Sequence, residues 1–148
     1  MKNIALLISL LFLVGCDDPT GGGKLTITKH ENGKTASRGY MLNDHIKVGD
    51  WIYFYDDGSK EKVGRYFEDQ MHGAWTSWHK NGQKAAEGTY KAGEEEGFWT
   101  YWHENGQKAA EGTYKAGQKD GVWADWMDDG TRYEDELWKN GERVGSGG

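Results

Sequence analysis

Four tryptophans set the terms for this chain. Trp51, Trp75, Trp99 and Trp123 stand 24 residues apart, and Gly49, Gly73, Gly97, Gly121 and Gly145 keep the same interval. So do Gly58, Gly82, Gly106 and Gly130, then Gly64, Gly88 and Gly112, then Tyr66, Tyr90, Tyr114 and Trp138. Asn81 to Gly93 recurs unchanged as Asn105 to Gly117. A fixed period of this length marks a stacked-repeat architecture, in which each unit buries its apolar surface only against its neighbours. Leu, Ile, Val and Phe are scarce beyond residue 15, a composition that on its own signals disorder. The 8 Trp and 8 Tyr supply the missing apolar area, and the 23 Gly are mostly repeat grammar. The chain therefore folds on aromatics and glycine, without a Leu-rich helical core.

Each unit reads as a β-hairpin. Asp57-Gly58, Asn81-Gly82, Asn105-Gly106 and Asp129-Gly130 are the pairs favoured in type I′ turns. With those pairs at the two turn positions, Lys80 pairs with Gln83, Trp78 with Ala85 and Trp75 with Gly88. The same arithmetic sets Trp51 against Gly64 and Trp99 against Gly112. An indole facing glycine across the strands covers bare backbone. Side chains alternate along a strand, so Trp78 falls on the face opposite Trp75 and Tyr90 unless a bulge intervenes. Glycine and Asn-Gly interrupt every run before a helix can form. Gly93 to Gly97 and Gly117 to Gly121 read as the loops connecting one hairpin to the next. His30-Glu31-Asn32-Gly33-Lys34 with Gly39 repeats half a unit at an offset of 25, and reads as a degenerate first unit. Glu134, Asp135 and Glu136 mark a C-terminal cap, with Glu136 in the glycine place opposite Trp123. The expected fold is all-β: an elongated single-layer meander of about five tandem hairpins over residues 24–145, with a disordered tail at 146–148.

The beginning of the chain is of another kind. Ile4 to Val14 is an apolar run too short to span a bilayer as a helix, with the length of a signal-peptide core. It closes on Leu13-Val14-Gly15-Cys16, and Cys16 is the chain's single cysteine. This segment resembles the lipobox of bacterial lipoproteins. The resemblance implies a signal peptide at 1–15, cleavage before Cys16 and acyl chains, palmitate among them, on a lipidated Cys16. Residues 16–23, rich in Gly, then read as a flexible tether. In enterobacterial lipoproteins an Asp directly after the cysteine, here Asp17, goes with retention in the inner membrane. The lipobox resemblance implies a lipid-anchored place in the bacterial cell envelope and, in a host of enterobacterial type, the inner membrane facing the periplasm.

The pattern Gly73-Ala74-Trp75, Trp78, Asn81-Gly82, Lys84, Gly88-Thr89-Tyr90, Gly93, Gly97 resembles the MORN repeat. More narrowly it looks like the bacterial variant in YwqK-type antitoxin or immunity-like proteins. The resemblance spans about residues 24 to 145. It implies an extended sheet of hairpins that serves in binding, and no catalytic residue to carry over.

A net charge of −6 disfavours nucleic acid, which needs clustered Lys and Arg. One cysteine excludes a disulfide framework and a Cys-rich zinc site. His79 and His103 share a repeat position but are about 10 Å apart, two strand spacings, too far for one metal. They read as polar residues beside a turn, and His30, His45 and His72 as scattered. The Asp-Asp-Gly sequences lack the further acids of a calcium loop, and Glu94-Glu95-Glu96 reads as a solvated loop charge run. Neither a metal, a cofactor nor catalysis is expected. The candidate binding surface is the aromatic lattice: Trp51, Tyr53, Trp75, Trp78, Trp99, Tyr101, Trp102, Trp123 and Trp126. The row opposite glycine is expected to hold the sheet together, and another row to stay exposed. Variation falls at Tyr53, Ser77, Tyr101 and Asp125. These features fit a membrane-anchored, non-catalytic module that binds a protein partner, an antitoxin-like partner of a toxin being one version. The alternative is binding of an envelope glycan or a lipid headgroup by the same rings.

Overall fold

The computed structural model describes residues 21–147, which form one open antiparallel sheet of eleven strands in strict sequence order. The strands are β1 (Lys24–Lys29), β2 (Thr35–Leu42), β3 (Ile46–Phe54), β4 (Lys60–Phe67), β5 (Gln70–Trp78) and β6 (Lys84–Lys91). They continue as β7 (Glu94–Trp102), β8 (Lys108–Lys115), β9 (Gln118–Asp125), β10 (Asp135–Lys139) and β11 (Glu142–Gly147). There is no helix among the described residues. At about 4.8 Å per strand the sheet runs about 50 Å. The expected all-β meander is thus the fold. The lipobox, Cys16 and the start of the tether lie outside the described residues. The sheet continues two residues past 145, because Ser146 and Gly147 belong to β11 rather than to a tail.

The Asn-Gly turns differ from the expected type I′. His79 N–H donates to the Gln83 carbonyl and Gly82 N–H to the His79 carbonyl, both at 2.8 Å. Only Gly82 is left-handed, at φ +86°, and Asn81 is not. This is the three-residue loop in which a type I turn ends on a left-handed glycine. Asn81 stabilises it by accepting from Gln83 N–H at 3.0 Å. Trp78 consequently pairs with Lys84, not Ala85, and Lys80 does not pair with Gln83. A bulge after Ser77 leaves Ala85 as an extra residue, so Trp75 still meets Gly88. The bulge in β6 leaves the alternation of β5 intact, so Trp78 stays on the face opposite Trp75. The His30–Lys34 turn has the same hydrogen bonds.

Type I′ turns occur instead at the other edge, where connecting loops were expected. Glu68-Asp69 (φ +48° and +66°), Ala92-Gly93 (+51° and +84°) and Ala116-Gly117 (+49° and +72°) are two-residue turns. Lys91 pairs with Glu94 and Lys115 with Gln118 across them, so Gly93 to Gly97 is mostly strand and the sheet has no inter-hairpin loop. Between β2 and β3 the turn takes three residues, Asn43 to His45, since Leu42 pairs with Ile46. That extra residue is the source of the 25-residue offset. Alanine is a poor occupant of a left-handed position. Ala92→Asn, which creates the Asn-Gly pair already used at Asn140-Gly141, is expected to stabilise the fold by about 0.5–1 kcal/mol. A higher denaturation midpoint at unchanged m-value would show it.

The core is a row of four indoles. Trp51, Trp75, Trp99 and Trp123 are 1–5% exposed in a sheet with no second layer. Each lies over a glycine, but not over its hairpin partner. Trp75 pairs with Gly88, yet its ring folds back over Gly64 on β4; Trp99 covers Gly88, Trp123 covers Gly112 and Trp51 covers Gly39. A Cβ on Gly88 would sit 2.1 Å from Trp99 Cδ2. The reason is the seam between hairpins, where Glu87 pairs with Thr100 and Thr89 with Glu96, so that Gly88 faces a three-residue bulge. Trp99 Nε1–H donates to the Thr89 carbonyl at 3.2 Å, and the other three repeat that bond one strand back. Each indole thereby joins two hairpins. The cap follows directly. Glu136 pairs with Trp123 as expected, and the residue that would cover it, eleven further on, is Gly147. With no indole to receive, Glu136 needs no glycine; it accepts from Trp138 Nε1–H at 3.0 Å and pairs with Arg143.

Candidate functional site

The hairpin periodicity lays four residue rows across one face of the sheet. Strand β3 contributes Lys47, Trp51 and Tyr53, and β7 contributes Glu95, Trp99 and Tyr101, at alternating positions that share a face. Tyr66, Tyr90 and Tyr114 come from the return strands, because Gly49, Gly73 and Gly97 pair with them. These rings interlock with the indoles edge to face: Tyr90 meets Trp75 at 6.0 Å and Trp99 at 5.0 Å, centroid to centroid. Such alternation is the preferred geometry for aromatic quadrupoles. Tyr53 stacks on Trp51 and Tyr101 on Trp99, each at 5.9 Å.

Of the nine expected surface aromatics, Trp51, Trp75, Trp99 and Trp123 are buried and serve as core. Tyr53 and Tyr101 are half-buried on the same face. Trp78, Trp102 and Trp126 lie on the opposite face, each beneath a lysine of the preceding hairpin. Lys60 stands 5.9 Å from the Trp78 ring centre, Lys84 5.0 Å from Trp102 and Lys108 5.1 Å from Trp126. Alternation separates what the linear lattice had put together.

Between Tyr53 and Tyr101 the repeat position is Ser77. A cleft of about 310 Å³ lies at this position, lined by Trp75, Thr76, Ser77, Ala86, Tyr90, Trp99 and Tyr101 together with Lys62, Met71 and Glu95. Glu95 is therefore not part of a solvated loop. It stands in β7, and the Tyr90 hydroxyl donates to its Oε1 at 3.4 Å. Sequence reasoning passed over the row Lys47, Met71, Glu95 and Lys119, although the period aligns it as strictly as the tryptophans.

The histidines are structural links. His79 Nε2–H donates to the Trp102 carbonyl at 2.7 Å, and His103 to the Trp126 carbonyl at 2.8 Å. His30 does the same for Phe54 at 2.8 Å, so it belongs to this series rather than being scattered. Asn81 adds a bond from Nδ2 to the Glu104 carbonyl at 2.6 Å. Each of these turns is thus pinned to the next hairpin, and the three imidazoles each have their own partner.

The tyrosine hydroxyls are paired across strands: Tyr53 donates to Tyr66 at 3.1 Å and Tyr101 to Tyr114 at 3.4 Å. Burial pushes the ionisation of Tyr53, Tyr66 and Tyr101 upward. Tyr90 is pushed up to about 12, by burial first and the Glu95 charge second. A folded-state pKa above the unfolded value means that the native state holds these protons more tightly. Their stabilisation is complete below about pH 10 and is lost as pH rises toward 12 and beyond. Denaturation midpoints should therefore hold near pH 8 and fall steeply above about pH 10. A flat profile into that range would contradict this account.

The family described as MORN repeat variant matches residues 71–92 and 95–116, two adjacent repeats. Each match spans one hairpin, β5 with β6 and β7 with β8, and ends on the first residue of the turn that follows it. These hairpins carry the cleft and Glu95. No curated protein matches the chain.

Proposed function

We propose that this protein is a non-catalytic binding module, held to a bacterial envelope membrane by a lipidated Cys16, that takes a protein partner on the aromatic face. The observation that carries this reading is the cleft at Ser77, where the half-buried Tyr90 and Tyr101 stand beside the edges of the buried Trp75 and Trp99 at one interrupted position of a continuous ladder. Accessible aromatic clusters beside charged groups are the usual anchors of protein recognition. The two MORN repeats support a protein- or membrane-binding repeat module. An antitoxin-like role, with a toxin as the partner, is the narrower version. The opposite face supports the glycan alternative less well, because Trp78, Trp102 and Trp126 carry lysines over the rings that a sugar would stack on.

The test is crosslinking in cells followed by purification of the full chain in detergent. One protein should co-purify with the native chain and be lost when Tyr101 is changed to alanine. Recovery of no protein above background, or retention on cell-wall polysaccharide in its place, would overturn the reading. Lipidation has its own measurement. Labelled palmitate should enter the native chain and be absent from Cys16→Ser, which should leave the membrane fraction.

A further inference from the structure

The ladder contains a ligand of its own. Lys47 Nζ lies 5.1 Å from the Trp51 ring centre, 5.5 Å from Tyr53 and 4.9 Å from Tyr66, and donates to the Tyr53 hydroxyl at 3.0 Å. An ammonium among three ring faces is the arrangement by which aromatic cages hold alkylammonium ions. At the other end, Lys119 Nζ lies 4.1 Å from Trp123 and 4.8 Å from Trp138. The cations at 47 and 119 fill the same repeat position, in the hairpins on either side of the two that hold the cleft.

Two repeats on from Lys47, the same three rings recur, and the period puts Glu95 in the place of the lysine. Trp99 and Tyr101 stack at 5.9 Å and 22°, against 5.9 Å and 28° for Trp51 and Tyr53. Trp99 meets Tyr114 edge-on at 6.2 Å, against 6.0 Å for Trp51 and Tyr66. The hydroxyl bond between the tyrosines recurs as well. Only the central residue has changed sign, from Lys47 to Glu95. Among the described residues Glu95 has no ion-pair partner, and its polar contact is with Tyr90. Lys62, the cation at the cleft margin, is turned to the Tyr53 ring at 4.7 Å. Glu95, Trp99 and Tyr101 line the cleft beside Ser77, whereas Lys47, Trp51 and Tyr53 do not.

We infer that the cleft bounded by Tyr90, Glu95, Trp99 and Tyr101 is a recognition site for a lysine side chain of the partner polypeptide. Its ammonium would pair with Glu95, lie against the rings as Lys47 does in its own cage, and donate to the Tyr101 hydroxyl. The methylene stem would run over Ser77 and Ala86. The surroundings agree in sign: residues 68–147 hold 9 Lys and Arg against 16 Asp and Glu, whereas residues 24–67 hold 8 against 6. A negatively charged end of the sheet draws a basic segment toward Glu95.

The inference rests on the protein-binding reading but has a separate test. The probe is Nα-acetyl-lysine methylamide, titrated into the full chain in detergent while the indole and tyrosine resonances are followed by NMR. The Trp99 and Tyr101 signals should shift and saturate with a Kd on the order of millimolar. The norleucine analogue, which lacks the ammonium, should produce no saturable shift. Glu95→Gln should weaken the probe about tenfold by removing the charged acceptor. Glu95→Lys should abolish binding and keep a native spectrum, because it restores the Lys47 arrangement internally. That variant separates loss of the site from loss of the fold. Equal affinity in native, Glu95→Gln and Glu95→Lys chains would overturn the inference. So would saturation by choline with no response to the lysine probe, which would mark a headgroup site. A silent probe together with a recovered protein partner would reject the lysine site and leave the binding module standing.

Discussion

Gly88→Ala is expected to cost about 3–5 kcal/mol, enough to unfold a marginally stable sheet at ambient temperature. The physical reason is one contact. The new Cβ would meet Trp99 Cδ2 at 2.1 Å and Cε2 at 2.2 Å, deep inside van der Waals range. Backbone holds the strand on one side and the indole is locked by its bond to the Thr89 carbonyl on the other. The ring must leave, and with it goes the apolar burial that joins two hairpins. Gly145→Ala supplies the control: nothing lies within 4 Å of its Cβ, and a change within about 0.5 kcal/mol is expected there. Chemical denaturation of both variants decides the matter. A Gly88→Ala chain as stable as Gly145→Ala would show that the indoles do not depend on bare backbone.

Trp99→Ala should cost about as much, 3–5 kcal/mol, since a side chain only 5% exposed is removed from a layer that has no other filling. The informative measurement is the double variant. With the indole gone, the alanine at 88 has nothing to strike, so Gly88→Ala should add little to Trp99→Ala. The sum of the single effects should exceed the double by about 3–5 kcal/mol, nearly the whole cost of Gly88→Ala and at or above the top of the range found for residues in direct contact. Pairing Trp99→Ala with Gly112→Ala serves as the comparison. Gly112 is the hairpin partner of Trp99 but lies under Trp123. Near-additive effects in that pair, and coupling in the first, would establish that each indole belongs to the glycine one hairpin back.

The period disclosed the hairpins, the Trp75–Gly88 register and the capping role of Glu136, because these depend on spacing alone. The turn types were interchanged for a local reason. Asn81-Gly82 satisfies two turn geometries, and the choice between them rests on whether Asn81 becomes left-handed or accepts from Gln83. The compensating bulge at Ala85 hid the difference at Trp75. The site was half legible. Tyr101 and Ser77 stood out as variable positions beside the ladder, while Glu95 was concealed in an acidic run that resembles a loop. Its meaning depends on Lys47, which is two hairpins away and is linked to it only by the period.

The sequence by itself determined that this chain is a β-hairpin array, the period of its units and the pairing of each tryptophan with a glycine. Periodicity and left-handed turn residues are properties of the chain before it folds. Only the tertiary structure decided which neighbour each indole covers, which aromatics are core and which are open, and that a carboxylate stands where another repeat holds its own lysine. Those outcomes arise at the seams between hairpins, from bulges and ring packing between residues that no single repeat contains.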